Sequence, residues 1–246
     1  MDVIRESLAG KVAVVIGVGP GQGNAVARLL INFGSKIAMV SRSGSSFGLV
    51  ESSTIKIFKG DATNEESMRE IRDKIIEFYG GVDVVYNSPG KYEETGRDLP
   101  PPSDLMEMFN SNVGAQYNVI RVFSEAMRKK GGAIVNVGAS PAIFTGSSIA
   151  YTIAKKSIEE MTRKSAEMLK AYNIRVNAVL PGAVSREDRF RKTFPFNFGK
   201  ISDTTDLDAT EVAYVSVFLL SEMAYGINGQ SIVVDKGMNT LRLSRK

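Results

Sequence analysis

Tyr151 and Lys155 are the two residues of this sequence whose types and spacing best suit acid–base chemistry. Residues four apart on an α-helix lie on the same face, about one turn from each other. A free phenol has a pKa of about 10, and a nearby ammonium favours the phenolate and lowers that pKa. The pair therefore predicts a tyrosine acid or base tuned by a lysine, although so short a string also fits an ordinary amphipathic helix.

The composition excludes several other kinds of active site. The chain of 246 residues has no His and no Cys, so it lacks the usual general base, thiolate nucleophiles and common metal ligands. We therefore expect no metal site and assign acid–base work to Tyr, Lys, Asp or Glu. The formal net charge of +4 comes mostly from dispersed basic residues, which favours small anionic ligands over nucleic acid as partners.

Length and hydropathy predict one globular domain over residues 1–246. A chain of this size can bury one sizeable core. No apolar run reaches the length that crosses a bilayer, and the first residues lack a signal-peptide pattern. We accordingly expect a cytoplasmic protein without membrane partners.

A glycine-rich turn near the N-terminus predicts a phosphate-binding site. Residues 11–16 form an apolar, β-branched run typical of a buried strand, and Gly17, Gly21 and Gly23 follow it. Residues 25–33 then carry apolar side chains at helical spacing. Glycines let the backbone approach a pyrophosphate, and the N-terminus of a helix offers free N–H groups and a positive dipole end. Strand, turn and helix together indicate a dinucleotide-binding unit.

The end of the second predicted strand indicates which dinucleotide binds. A fold that selects NAD usually places a carboxylate there to accept a hydrogen bond from the ribose 2′-hydroxyl. Here the strand over residues 36–40 ends in Ser41 and Arg42. A guanidinium can form a forked contact with a 2′-phosphate. NADP(H) is therefore favoured over NAD(H), with a solvated loop arginine as the alternative interpretation of Arg42.

Other candidate ligand residues follow later strands, at the carboxyl edge where parallel sheets bind ligands. Asp61 and Ala62 come after the third strand, where an adenine would be met, although Asp61 also suits an ordinary turn. The loop after the fourth strand offers Asn87 and Gly90. Asn112 interrupts an apolar helical stripe, which fits either a structural hydrogen-bonding residue or a site residue that holds water.

The order of the predicted elements indicates an α/β fold. About seven apolar runs of strand length alternate with helical patterns, which predicts a Rossmann-type doubly wound parallel sheet with helices on both faces. The Gly- and Ser-rich segment 44–53 predicts little or no helix, and Thr63 with Glu66 fits a capping box for the next helix. The irregular segment 185–206 mixes Phe with Arg and predicts a lid over an apolar substrate.

With these parts in order, the chain resembles the short-chain dehydrogenase/reductase family, in its single-domain form of about this length. Several of the family's motifs occur in the expected order and spacing. The matching positions are Gly17, Gly21 and Gly23 of the glycine turn, Asp61, the loop from Asn87 to Gly90, Asn112, Tyr151, Lys155, and the turn of Pro181 and Gly182.

The resemblance implies a role for each residue at the reacting end. Tyr151 would protonate the developing alkoxide, and Lys155 would lower the pKa of that tyrosine and hydrogen-bond the nicotinamide ribose. Asn112 would hold a water that relays protons. Pro181 and Gly182 would form the turn beside the cofactor, and Val184 would offer its backbone to the nicotinamide carboxamide.

The chain departs from the family at the residue that binds the substrate carbonyl. The family has a serine thirteen residues before the tyrosine, a position that is Gly138 here. Ser140 would take the role only if the loop is rearranged, and Ser147 and Ser148 are less favoured alternatives. Ile16 also stands where the family has a threonine in the glycine turn.

The resemblance implies an NADPH-dependent carbonyl reductase, or in reverse an alcohol dehydrogenase, acting on an apolar small molecule. The missing serine leaves open an NADP(H)-binding sensor or partner subunit with little catalysis. The arginines of residues 186–191 leave open the reduction of 3-oxoacyl thioesters on an acidic carrier. Family members are commonly tetramers or dimers, so a homotetramer or homodimer is expected.

Overall fold

A computed structural model describes residues 2–96, 98–184 and 207–240 of the protein. Its centre is a seven-stranded sheet in the order β3-β2-β1-β4-β5-β6-β7, with every neighbouring pair parallel. The strands are β1 (Val12–Ile16), β2 (Lys36–Ser41), β3 (Ile55–Lys59), β4 (Val84–Asn87), β5 (Gly132–Val137), β6 (Ile174–Pro181) and β7 (Ser231–Val234). The prediction of a Rossmann-type parallel sheet of about seven strands is confirmed.

Seven α-helices connect or flank these strands within the described ranges. They are α1 (Asp2–Leu8), α2 (Gln22–Asn32), α3 (Glu65–Tyr79), α4 (Pro102–Phe109), α5 (Ala115–Met127), α6 (Ile149–Leu169) and α7 (Ala209–Leu220). A π-helical segment, Asn110–Gly114, joins α4 to α5 without a break. None of the helices in the described ranges is long and apolar enough to cross a membrane.

Apolar clusters on both faces of the sheet explain why the strands read as continuous apolar runs. All five residues of β1 are buried. Ala13 and Val15 pack against α2 and α7, whereas Val12, Val14 and Ile16 pack against α3 and α5. Side chains on a strand alternate between the two faces, so both sets of β1 positions need apolar residues. Burying a side chain such as Val or Ile contributes roughly 1.5–3 kcal/mol.

The strand order creates a crevice at the carboxyl edge of the sheet. Strand β1 lies between β2 and β4, so the order of connections reverses at this point. The chain leaves β1 into α2 on one face and leaves β4 towards α4 and α5 on the other. In open parallel sheets the loops separate at such a switch point, and ligands bind in the crevice between them.

Two local predictions were tested by the structure with opposite results. The segment 44–53 contains no helix, as predicted. The predicted capping box of Thr63 and Glu66 is wrong: Asn64 is the N-cap of α3, and its side chain accepts from the backbone N–H of Ser67. Thr63 instead donates its hydroxyl to Asp61, and that hydrogen bond holds the turn before the helix. The predicted lid at 185–206 lies outside the described residues.

Candidate active site

The glycine turn after β1 is closed against the loop after β4. Gly17 has a φ of 78°, a left-handed conformation that favours glycine. A Cβ atom at this position would lie 2.3 Å from the carbonyl oxygen of Ser88. No side chain fits between the two loops, so their backbones lie directly against each other at the switch point.

Helix α2 begins directly after the glycine turn, and no side chain caps the N–H groups at its N-terminus. Gly21 is the N-cap residue and provides no side-chain hydrogen bond. Free N–H groups at a helix start, next to a glycine turn, suit an anionic group such as a pyrophosphate. The turn therefore fits a dinucleotide. Gly17 lines the cleft described next, whereas Gly23 allows the helix to pack on the turn, since a Cβ atom there would lie 2.9 Å from Cα of Val18.

A first cleft beside the turn contains the residues predicted to meet the adenosine half of the cofactor. Ser41, Arg42, Asp61 and Ala62 line it together with Gly17. The Oγ atom of Ser41 accepts from the backbone N–H of Gly44 at 3.1 Å, which shapes the loop that carries Arg42. The structure thus brings these predicted residues together at the end of β2 and β3.

Asp61 is a satisfied turn residue as well as a lining residue of the first cleft. Its Oδ1 atom accepts from the N–H of Thr63 at 3.0 Å and from the hydroxyl of Thr63 at 2.9 Å. The two interpretations left open by the sequence are therefore compatible, because the turn hydrogen bonds fix the carboxylate at the rim of the cleft.

A second cleft contains the residues predicted to act at the reacting end. Tyr151, Lys155 and Asn112 line it, with Pro181 and Gly182 at the end of β6. It shares the loop of residues 88–91 with the first cleft. The two clefts therefore form one groove along the carboxyl edge, which fits a dinucleotide bound across the switch point.

Tyr151 is almost fully buried, and its pKa shifts in the opposite direction from the prediction. Only 6% of the residue is exposed, in an apolar cluster that includes Met108, Val113 and Ile158. Burial raises the pKa of Tyr151, and the neighbouring Tyr92 raises it further. The expected lowering of this pKa is not found, because loss of hydration, and not the ammonium, sets the direction of the shift.

Lys155 lies close to Tyr151 but is held by a backbone carbonyl. Its Nζ atom is 5.7 Å from the centroid of the Tyr151 ring and donates to the carbonyl oxygen of Val137 at 3.1 Å. Burial lowers the pKa of Lys155 to about 8. The lysine is therefore a buried group whose ammonium donates to one carbonyl oxygen among the described residues, and it titrates at a lower pH than an exposed lysine.

Asn112 combines a structural role with an unused acceptor. Its Nδ2 atom donates to the carbonyl oxygens of Lys91 at 3.1 Å and Met108 at 3.2 Å. Its Oδ1 atom is buried and has no hydrogen-bond partner among the described residues. A Cβ atom at Gly90 would lie 2.3 Å from that oxygen. A buried acceptor of this kind calls for a water or a ligand donor.

Ser140 is not among the residues that line either cleft. Its hydroxyl donates to Oδ2 of Asp235 at 2.5 Å and accepts from the N–H of Ala142 at 3.1 Å. The expectation that Ser140 replaces the missing serine is therefore corrected: its hydroxyl is fully buried and joins β5 to the chain after β7. Gly138 lines the second cleft without any hydroxyl.

Asn87 and Val184 also stand apart from the cleft linings. The Nδ2 atom of Asn87 donates to the carbonyl oxygen of Gln116 at 3.0 Å and to Oδ1 of Asn136 at 2.8 Å, inside the protein. The side chain therefore ties β4 to β5 and α5, which corrects its expected role in cofactor binding. Val184 forms a parallel bridge with Leu207 just beyond β6.

Tyr92 is a cleft residue that the sequence analysis missed. It lines the second cleft, and its ring meets that of Tyr151 edge to face, with centroids 5.0 Å apart and an interplanar angle of 80°. Residues 91–103 are mostly polar residues and prolines, as in an ordinary connecting loop. The sequence hints at a role for Tyr92 only in that it follows Gly90 by two positions in a loop at the carboxyl edge of the sheet. Lys91 lines both clefts from the same loop.

Comparison with known proteins gives matches over almost the whole chain. The family model described as Enoyl-(Acyl carrier protein) reductase matches residues 17–239. An L-rhamnose 1-dehydrogenase (NAD(P)(+)) from Azotobacter vinelandii is 28% identical, over 94% of this chain and 97% of that protein. A 3-oxoacyl-[acyl-carrier-protein] reductase from Thermotoga maritima is 26% identical, over 94% of this chain and 98% of that protein.

A solved structure shares the architecture. The crystal structure of a short-chain dehydrogenase/reductase from Burkholderia xenovorans superposes with a TM-score of 0.80 at 25% identity. The match covers 95% of this chain and 98% of that one. The groove described above therefore lies on a scaffold that the two chains share along nearly their full lengths.

Proposed function

Because the chain belongs to the short-chain dehydrogenase/reductase family, we propose that it is an NADPH-dependent carbonyl reductase that also runs in reverse as an alcohol dehydrogenase. Membership of this family makes the protein an NAD(P)-dependent oxidoreductase acting on alcohol or carbonyl groups. The observation that carries the proposal is the second cleft, where Tyr151, Lys155 and Asn112 line one cavity with the turn of Pro181 and Gly182.

The residues of the groove hold the cofactor in this proposal. The glycine turn holds the pyrophosphate, Ser41 and Arg42 hold the 2′-phosphate, and Asp61 with Ala62 borders the adenine. Further along, Gly90 and Lys155 border the nicotinamide ribose, and Pro181 and Gly182 border the nicotinamide. Val184, which follows them outside the cleft lining, offers its backbone to the carboxamide. Bound NADPH supplies the hydride that reduces the carbonyl carbon.

Tyr151 supplies the proton that balances this reduction. Its raised pKa keeps the phenol protonated at neutral pH, so it is a proton donor in the resting protein. The phenol gives its proton to the carbonyl oxygen, which becomes the alcohol hydroxyl, and a phenolate remains on Tyr151. A positioned general acid contributes roughly 10²–10⁴-fold to rate.

Lys155 and Asn112 support the phenol in different ways. The ammonium of Lys155 lies near the ring and stabilises the phenolate that forms when Tyr151 gives up its proton. The free Oδ1 atom of Asn112 accepts from a water through which the phenolate recovers a proton from solvent. Lys155 therefore acts while the proton is transferred, and Asn112 acts afterwards, when the phenol is restored.

Replacement of Tyr151 by Phe tests the proposed chemistry. We expect Tyr151→Phe to lower kcat by at least about 10²-fold, because the general acid is lost, while the affinity for NADPH stays within a few-fold of wild type. NADPH oxidation is followed with a panel of ketones, aldehydes and acyl thioesters. Unchanged turnover in Tyr151→Phe would contradict the mechanism.

A catalytically weak NADPH-binding protein is the second candidate function. The observation that favours it is that Gly138 lacks a hydroxyl and the nearby Ser140 is engaged with Asp235. Tight NADPH binding without oxidation, across the whole panel, would support this sensor or partner subunit and reject the reductase.

The substrate class and assembly complete the proposal. The resemblance to a protein named 3-oxoacyl-[acyl-carrier-protein] reductase makes 3-oxoacyl thioesters a candidate beside neutral apolar ketones. Inhibition by salt with the thioester, but not with a ketone, would favour the thioester because charge attraction is screened by salt.

We also propose a homotetramer or homodimer, since family members are often oligomeric, and light scattering measures this directly.

A further inference from the structure

Tyr92 is placed beside the proposed proton donor in the second cleft. Its ring lies edge to face on Tyr151 at 5.0 Å between centroids. Tyr151 is almost fully buried, whereas 42% of Tyr92 is exposed. The two phenols therefore border the same cavity from different depths, one on a helix and one on a loop.

The backbone around Tyr92 is attached to the start of the helix that carries Tyr151. Glu94 forms an antiparallel bridge with Ser147, and the carbonyl oxygen of Glu93 accepts from the N–H of Ser148 at 3.0 Å. Ser148 in turn caps α6 by accepting from the N–H of Tyr151. The loop and the helix start thus form one unit, and backbone contacts hold the main chain of Tyr92 close to that of Tyr151.

We propose that the Tyr92 hydroxyl donates a hydrogen bond to the substrate oxygen opposite Tyr151 and so takes the place of the hydroxyl missing at Gly138. This inference rests on the proposed function and adds a catalytic residue to it. No covalent step is involved, because Tyr92 keeps its proton while Tyr151 transfers one.

Three serines near the start of α6 have other hydrogen-bond partners. Ser140 donates to Asp235, and Ser147 donates to the carbonyl oxygen of Ile143 at 2.8 Å. Ser148 accepts as the cap of α6. Each of these serines is almost fully buried. Tyr92 lines the cleft beside Tyr151, and the hydroxyl of a phenol is a hydrogen-bond donor.

The present partner of the Tyr92 hydroxyl is easily exchanged for a substrate. The hydroxyl donates to the carbonyl oxygen of Gly146 over 3.3 Å, a long hydrogen bond. That carbonyl also accepts from the N–H of Thr95 at 3.1 Å. When Tyr92 turns to a substrate, Gly146 therefore keeps a partner and no buried acceptor is left unsatisfied.

Replacement of Tyr92 by Phe tests the inference by steady-state kinetics. Loss of one oxyanion donor typically lowers kcat by about 10²–10³-fold, and we expect Tyr92→Phe to lower kcat at least tenfold with KM changed less than threefold. Tyr225→Phe is the matched control, since Tyr225 is exposed at the opposite, amino edge of the sheet and should keep wild-type kinetics. A Tyr92→Phe kcat within twofold of wild type, in protein that Tyr151→Phe inactivates, would overturn the inference.

A second measurement does not depend on turnover. The protein is labelled with 3-fluorotyrosine, and the resonances of Tyr92 and Tyr151 are assigned from the two Phe variants. Cyclohexylformamide, whose carbonyl is not reduced, is then added to the NADP⁺ complex. We expect both resonances to shift, whereas a shift of Tyr151 without Tyr92 would overturn the inference.

The two measurements separate failure of the inference from failure of the proposed function. If the wild-type protein oxidises NADPH with no compound in the panel, the proposed function fails. The fluorine resonances still decide whether Tyr92 reaches a bound carbonyl. If turnover is lost in Tyr151→Phe and kept in Tyr92→Phe, the function stands and the role of Tyr92 is rejected.

Discussion

The carbonyl oxygen of Val137 is the hydrogen-bond acceptor for the buried ammonium of Lys155. It accepts from Nζ of Lys155 at 3.1 Å and from Nε2 of Gln116 at 2.9 Å. Lys155 can therefore move to a bound ligand while Gln116 keeps the carbonyl satisfied. The ammonium loses hydration when it is buried and gains little in return, which is why its pKa falls.

Replacement of Lys155 by Met should stabilise the ligand-free protein while it removes activity. The pKa of Lys155 falls from 10.5 to about 8 on folding, so its burial costs roughly 3 kcal/mol below pH 8, at about 1.36 kcal/mol per unit. Between pH 8 and 10.5 the unfolded state binds more protons, so the free energy of unfolding of the wild type rises with pH. We expect the advantage of Lys155→Met to shrink over that window in chemical denaturation.

Lys156→Met is the control for this prediction. Lys156 is the next residue, exposed and paired with Glu159 at the surface, where ion pairs contribute about 0–1 kcal/mol. Its replacement should change stability little at any pH. A Lys155→Met variant that is less stable than wild type at pH 7 would contradict the account of the buried cation.

Gly138 illustrates why the family serine cannot simply be restored. A Cβ atom at this position would lie 2.4 Å from Cδ2 of Leu180. Adding atoms to a packed interior costs about 1–3 kcal/mol, and we expect Gly138→Ser to lose that much stability in thermal unfolding. Leu180→Val removes the Cδ atoms and should restore part of the loss in the double variant, because the two changes are coupled. Additive effects of the two substitutions would argue against the contact.

The residues of the site were predicted unequally by the sequence. Tyr151, Lys155 and Asn112 follow from motif spacing, and the structure brings them together. Ser140 and Asn87 were misjudged because their partners, Asp235 and Asn136, are remote in the sequence. The direction of the Tyr151 pKa shift was misjudged for a similar reason: burial by a tertiary cluster exceeds the effect of a helical neighbour.

At the scale of elements, the start of α6 determines where Tyr151 lies. Ser148 has extended backbone angles, and its Oγ atom accepts from the N–H of Tyr151 at 3.1 Å. The N–H group that this cap satisfies therefore belongs to Tyr151, the proposed proton donor. The same helix packs against α4 through Met108 and Ile158, so the phenol is held from two sides.

Replacement of Ser148 by Ala should lower stability and leave the chemistry largely intact. Loss of an N-cap serine costs about 0.5–2 kcal/mol, which corresponds to roughly 2–4 °C of Tm per kcal/mol in a domain of this size. Ser157→Ala on the exposed part of the same helix is the control and should change Tm little. Loss of turnover without loss of Tm in Ser148→Ala would identify Ser148 as the catalytic hydroxyl instead of a cap.

Helices and strands were predicted well where the pattern is long and periodic. Strands β1 and β2 are buried on both faces, so nearly all of their side chains are apolar and the runs are easy to recognise. The start of α3 was misplaced by one residue because Thr63 and Asn64 are both good caps, and Asp61 binds Thr63. The π-helical turn at Asn110–Gly114 has no periodic signal, so the sequence shows only the Asn112 that interrupts the stripe.

For the whole molecule, the strand order converts separate loops into one groove. The reversal between β1 and β4 places the glycine turn next to the loop of residues 88–91, and that loop borders both clefts. The proposed places of cofactor selection and of proton transfer therefore lie at opposite ends of one continuous surface. A substitution at the proposed adenosine end should therefore change the cofactor preference without disturbing Tyr151.

Thermal stabilisation by the two cofactors should report the proposed preference for NADPH. A ligand at one hundred times its Kd stabilises the folded state by about 2.7 kcal/mol, or roughly 5–10 °C in Tm here. We expect NADPH to raise Tm more than NADH at equal concentration. Arg42→Asp should reverse the order, because a carboxylate repels the 2′-phosphate and accepts from the 2′-hydroxyl. Arg28→Gln, at an arginine that binds Asn24 and Phe47 outside the clefts, should keep the wild-type order.

The close approach of Gly17 to Ser88 also limits how this chain can be recombined with its relatives. The two positions are far apart along the sequence, yet the space left beside Gly17 is defined by the carbonyl of Ser88. A chimaera that inherits its glycine turn from one parent and its β4 loop from another brings together backbones that were never fitted to each other. Crossover points between residues 17 and 88 should therefore yield fewer folded progeny than crossovers placed after Gly90.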